Sequence, residues 1–117
     1  MKYMALIYSD PALVPAYGTP EFGAMMQGYG KFNETLKSTG VLISGHGLKD
    51  VDTATSVRIR GNRTETMDGP FAETKERLGG YYIMECADLD EALRYAAMIP
   101  SAAYGTVEVR PLAEYGL

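Results

Sequence analysis

The sequence predicts an α+β fold in which one antiparallel sheet carries two helices on a single face and a hairpin is inserted between core strands. Three observations carry this. With the hairpin set aside, the hydrophobic pattern reads β-α-β-β-α-β. The first strand is apolar on both sides, so both sides need cover. Two segments have a helical period, and two helices cover only one face of a sheet. At 117 residues the chain, 1–117, is expected to be one domain with a core that needs no staples.

Lys2–Tyr8 is the first strand, with Tyr3, Ala5 and Ile7 on one side and Met4, Leu6 and Tyr8 on the other. The Pro- and Gly-rich loop Asp10–Gly18 is long enough to act as a flap. Thr19 then offers an N-cap, Pro20 suits the first helical position and Glu21 suits the positive end of the helix dipole. Phe22, Met25, Tyr29, Phe32 and Leu36 recur every three or four residues as one apolar stripe, and Gly40 caps the end. Gly23, Gly28 and Gly30 weaken this helix; they reflect either close packing, neutral drift or an approach to the backbone beside Tyr29.

Val41–Leu48 is the second strand. Thr55–Arg60 and Arg63–Met67 flank Gly61-Asn62, a two-residue hairpin connection. Alternation of Val57 and Ile59 with Arg58 and Arg60 predicts one wet face on this hairpin. Gly79–Cys86 is the third core strand. Asp88 and Glu91 form a capping box for a helix whose stripe is Leu89, Ala92, Leu93, Ala96 and Ala97, stopped by Pro100. Val107–Arg110 closes the sheet, Val107 and Val109 inward. The order is that of the ferredoxin-like split βαβ arrangement. Its uncovered face, with Tyr, Met and Leu side chains, predicts a homodimer built sheet against sheet.

Composition excludes several functions. Hydrophobic residues make up 46% and charged residues 22%, an ordinary globular balance. A net charge of −4 speaks against nucleic acid as the partner. No segment has the length and hydropathy of a membrane span, so no membrane is expected. One cysteine, Cys86, cannot form an internal disulfide, which points to a cytoplasmic setting. With one histidine, His46, no metal cluster is expected, and no phosphate loop, dinucleotide fingerprint or nucleophile elbow is present. The expectation is therefore no cofactor, leaving acid–base chemistry or binding.

The densest motif is Asp68-Gly69-Pro70-Phe71, followed by Ala72-Glu73-Thr74-Lys75-Glu76 and Leu78-Gly79-Gly80-Tyr81-Tyr82. It resembles the motif of the DGPF proteins, a branch of the YciI-like (YCII-related) family. The likeness continues through Met1–Tyr8, Asp88–Ala92 and Val107–Pro111. It implies a dimeric α+β barrel and a family in which most members have no assigned activity. It also implies a His–Asp active centre, with Asp68 as the carboxylate. Where DGPF members often read Ala-His-Gly-Ala-Phe, this chain has Gly28-Tyr29-Gly30-Lys31-Phe32, so Tyr29 stands at the histidine position. Tyrosine, with a reference pKa of ~10, is a poor base at neutral pH. DGPF proteins are often encoded beside, or fused to, sigma factors of the extracytoplasmic-function group, which implies a sigma factor as an alternative partner.

The residues that carry chemistry each have a structural alternative. Asp68 is either a catalytic carboxylate or a turn former before glycine. His46, between two glycines, is either the proton carrier or an exposed strand-end residue. Tyr8 and Tyr82, like Tyr81, suit a pocket or an interface equally. Phe71 is expected to pack inward beside a cleft that Asp68 borders. Lys75 either clamps an anionic ligand or belongs to a solvated turn with Glu73, Glu76 and Arg77. Glu108 and Arg110 on the uncovered face are expected to orient a small polar or anionic molecule in a dimer cleft.

Overall fold

Strand β1 (Lys2–Ser9) alternates buried and half-buried residues along its length. Tyr3, Ala5 and Ile7 enter the core beneath two helices, while Met4, Leu6 and Tyr8 lie half-exposed on the other side. In this computed structural model, which describes residues 1–116, β1 sits at the centre of a four-stranded sheet. It is followed by α1 (Pro20–Ser38), β2 (Leu42–Gly47), β3 (Thr55–Arg60), β4 (Arg63–Asp68), β5 (Arg77–Glu85), α2 (Leu89–Ala96) and β6 (Gly105–Pro111). The sheet order β2-β5-β1-β6 with antiparallel neighbours is the split βαβ topology expected from the pattern. Single-turn 3₁₀ segments precede β3 (Val51–Thr53) and β6 (Pro100–Ala103).

Helix α1 begins where its caps require. The Thr19 hydroxyl accepts from the Phe22 N–H at 3.2 Å, with Pro20 in the first turn. It ends with Gly40 at φ +74°, while Gly40 N–H donates to Lys37 and Val41 N–H to Leu36. That paired closure satisfies the last carbonyls and needs the left-handed residue that glycine supplies cheaply. The fully buried Phe32, Leu36, Met84 and Ile99 form the heart of the core.

Helix α2 departs from the expected stripe. Asp88 Oδ1 accepts from Glu91 N–H at 2.9 Å, but the Glu91 carboxylate turns to the Ala87 N–H. Ala92, Ala96 and Ile99 are buried, whereas Leu89, Leu93 and Ala97 are exposed. The buried line runs through Ala92, Ala96 and Ile99 at spacings of four and three, and Leu93 and Ala97, each one position further on, are turned about 100° away from it. Gly28 resolves the question of the helix glycines in favour of packing at one position. A Cβ there would lie 2.9 Å from Pro100 Cγ, whereas Gly23 and Gly30 face open space.

The hairpin β3–β4 is a two-stranded sheet of its own. Gly61 and Asn62, at φ +56° and +65°, make the tight turn that matches strand twist. Its expected dry face is absent: Val57 and Ile59 are each 66% exposed. Among the described residues the ladder pairs β3 with β4 alone, and no helix or strand of the body packs extensively on the hairpin. The radius of gyration, 16.2 Å, exceeds the ~13 Å usual for this length because the hairpin stands off the body as an arm.

Candidate functional site

Helix α1 and the outer half of the sheet, β2–β5, enclose a cleft of about 670 Å³. Ligand sites commonly fall between ~300 and ~1,000 Å³. Tyr29 and Asn33 lie one helical turn apart on α1, so both side chains point to the same strip of sheet. The Tyr29 hydroxyl is 2.6 Å from Ser101 Oγ, the buried hydroxyl of the 3₁₀ turn before β6. On β5 the Tyr82 hydroxyl donates to Asn33 Oδ1 at 2.6 Å, and its ring meets Phe32 edge to face at 5.1 Å. Each hydroxyl is thus held by a partner and a packed ring, which fixes its direction.

The floor is made by glycines. Gly45 and Gly47 on β2 face Tyr82 and Gly80 on β5 across the ladder. Gly45 cannot carry a side chain, because a Cβ would stand 2.6 Å from Tyr82 Cδ1. The bare backbone at Gly47 and Gly80 leaves a flat strip beside the Tyr82 ring. Met25 and Met26 line the opposite wall and Lys37 lies at the rim.

Burial holds the Tyr82 phenol above its ordinary value; the neighbouring Tyr29 hydroxyl adds to this and the Asn33 amide opposes it. Tyr82 therefore keeps its proton at neutral pH and serves as a donor. Cys86 behaves similarly in the core, where burial, then Glu91, pushes its thiol up despite the N-terminal ammonium. It is a packing residue and an inert one.

Three of the expected site residues meet here, two of them through their side chains. Tyr29 and Tyr82 line the cleft. His46 lies at its rim, but its ring turns to the far face of the sheet, 5.8 Å from that of its ladder partner Tyr81. Tyr8 also lies on that far face, opposite Leu78 and Thr106. Asp68 is outside the cleft lining: it is exposed at the base of the arm, opposite Thr55. Its turn is stitched to β3, with Gly69 N–H donating to the Ala54 carbonyl at 2.7 Å and Ser56 Oγ to the Gly69 carbonyl at 3.0 Å. Phe71 does not pack inward. It is 84% exposed and borders the groove of the arm, next to a turn bonded to Ala54 and Ser56. Lys75 is exposed in the following loop. Glu108 and Arg110 satisfy each other, Arg110 Nε donating to Glu108 Oε2 at 2.8 Å.

The sequence reasoning missed Asn33, Ser101 and Lys37. Asn33 carried a usable signal, since it follows Tyr29 by one turn. Ser101 carried none, because a serine after proline reads as a loop.

The YCII-related domain matches residues 1–115. The chain belongs to the YCII-related family. A second member, an uncharacterized protein of Rhizobium meliloti (strain 1021), is 38% identical, the match covering 98% of this chain and 94% of that one. Among solved structures, this YCII-related chain is similar to 5-chloro-2-hydroxyhydroquinone dehydrochlorinase (TftG) of Burkholderia phenoliruptrix AC1100, in complex with 2,5-dihydroxybenzoquinone. That likeness has a TM-score of 0.53 at 14% identity and covers 97% of this chain and 94% of TftG. It establishes the fold. Among the described residues no helix is long and apolar enough to cross a membrane.

Proposed function

We propose that this protein binds a small polar or anionic molecule in the cleft between α1 and the β2–β5 edge. The observation that carries the reading is the pair of fixed hydroxyls, Tyr29 on Ser101 and Tyr82 on Asn33, lining a cavity whose floor is opened by Gly45, Gly47 and Gly80. A flat compound fits between that floor and the methionine wall, its hydroxyl groups donating to the phenol oxygens and its negative charge toward Lys37. TftG, on the same fold, is an enzyme that binds a small ring compound, which supports the ligand class.

The cleft offers hydrogen-bond donors and no carboxylate base of its own. Acid–base catalysis pairing Asp68 with Tyr29 or His46 would need Asp68 brought to the cleft, whereas the turn's bonds hold it at the arm. Binding is the conclusion drawn. Neither the family match nor TftG supports the sigma-factor reading. A homodimer through the uncovered sheet face belongs to the same proposal, because Met4, Leu6, Tyr8, Tyr81 and Ile83 lie there half-exposed.

The test is a thermal-shift screen with 2,5-dihydroxybenzoquinone and a panel of hydroxylated and carboxylated ring compounds. A ligand at ~100 times its Kd adds about 2.7 kcal/mol, a shift of several degrees. Specific stabilisation of the wild type that is lost in Tyr82→Phe and Tyr29→Phe is expected. A shift that survives both substitutions would place the ligand elsewhere and overturn the assignment.

A further inference from the structure

We infer that the β3–β4 arm is a clasp that embraces a second copy of this chain. The inference rests on the homodimer proposed above and adds the part of the molecule that holds it. The first observation is area. The chain exposes 8312 Å², whereas a self-sufficient monomer of its 12.8 kDa mass exposes roughly 6,300 Å². The excess, about 2,000 Å² per chain, is the scale of a large permanent interface.

The second observation is the exposed apolar surface of the arm itself. An isolated two-stranded hairpin is marginal in water, yet among the described residues this one pairs with no other strand. It also displays Val57, Ile59 and Met67, with Phe71 beside them, as large exposed apolar side chains. Ser56, Met67 and Phe71 border a groove of about 240 Å³, large enough to seat an apolar side chain. The uncovered sheet face of the body has the complementary defect, apolar and half-exposed. A twofold axis lets each copy give one arm and receive one, so a single operation covers both surfaces.

Charge selects the same occupant. Thr55–Asp68 carries three arginines against two carboxylates, while the whole chain is −4, so a basic arm projects from an acidic body. At its tip Arg60 and Arg63 stand directly opposite each other. Like charges so placed repel, and only Arg58 has a carboxylate partner on the arm, Glu65 at 3.7 Å. A second acidic body relieves that repulsion.

Sedimentation equilibrium of the full chain, across protein concentration and at low and high salt, tests this. A wild-type dimer is expected at micromolar concentration. The double variant Ile59→Ser, Phe71→Ser should weaken it at least tenfold, with unchanged circular dichroism. Arg60→Gln with Arg63→Gln should weaken it at low salt and remove most of its salt dependence. Hydrogen exchange should show β3–β4 amides protected in proportion to dimer. A wild type that remains monomeric overturns the homodimer and the clasp together. A dimer whose constant is unmoved by both arm variants, with β3–β4 amides unprotected, leaves the sheet-face dimer standing and overturns the clasp.

Discussion

Tyr82 and Phe71 belong to one continuous motif, yet they have opposite fates. Tyr82 is gripped by Phe32, Asn33 and the Gly45 backbone, and its hydroxyl has one direction available. Phe71 follows a turn whose hydrogen bonds all run to the arm, and it stands in solvent. The difference separates two kinds of surface. The cleft is closed by contacts within one chain, so its geometry is intrinsic. The arm has no such closure, and its apolar residues gain stability only through another molecule.

The cleft and the arm should differ most in their effect on stability. Phe32 is 2% exposed, and Phe32→Ala should cost about 3–5 kcal/mol by leaving a cavity under the cleft. Ile59→Ala on the arm should stay within about 0.5 kcal/mol for dilute monomer, as surface substitutions do. Urea denaturation at low protein concentration checks both. Equal costs would mean that the arm is packed in the monomer.

A smaller effect is expected at the cleft floor. Gly45→Ala forces a Cβ against the Tyr82 ring, and overpacking of this kind costs about 1–3 kcal/mol. Gly47→Ala meets open space and should be nearly silent on stability. The pair isolates the role of the Tyr82 ring, and a thermal-melt comparison that ranks them the other way contradicts the packing described. Smaller again is Tyr82→Phe, which removes one hydrogen bond and should cost about 1 kcal/mol.

The smallest effect concerns pH. Tyr82 and Cys86 both titrate above their ordinary values when folded, so the folded state holds these protons more tightly than the unfolded state. Their contribution is fully present below the unfolded pKa values and is lost as pH rises through the folded ones. The melting temperature should therefore fall on the alkaline side, from about pH 9 upward, with a shallower fall in Tyr82→Phe. An identical slope in that variant would show that Tyr82 is solvated.

Much of the fold was legible because local rules and tertiary structure agree at particular residues. Thr19 with Pro20 starts α1, Gly40 ends it, Gly61-Asn62 turns the arm and Asp88 caps α2, each through a backbone requirement that sequence expresses directly. Leu89 and Leu93 misled because periodicity gives a broad stripe but not its centre, which runs through Ala92, Ala96 and Ile99. The candidate site was legible only in part. Tyr29 and Tyr82 stood out as aromatic residues with polar tips. Asp68 stood out too, but a carboxylate before glycine satisfies a turn as readily as a site, and here its turn is bonded to β3. The alternation along β2 carried the decision on His46: Gly45 must face Tyr82, so His46 faces away.

The most direct measurement of the central claim is an isotope-labelled NMR titration of the full chain with 2,5-dihydroxybenzoquinone and the best stabiliser from the thermal-shift panel. Perturbed amides should cluster at Tyr29, Asn33, Gly45, Gly80 and Tyr82, with the arm tip at Arg60–Arg63 unmoved. Perturbations centred on Asp68–Phe71, or none with any compound that stabilises the protein, would contradict the assignment of the cleft as the binding site.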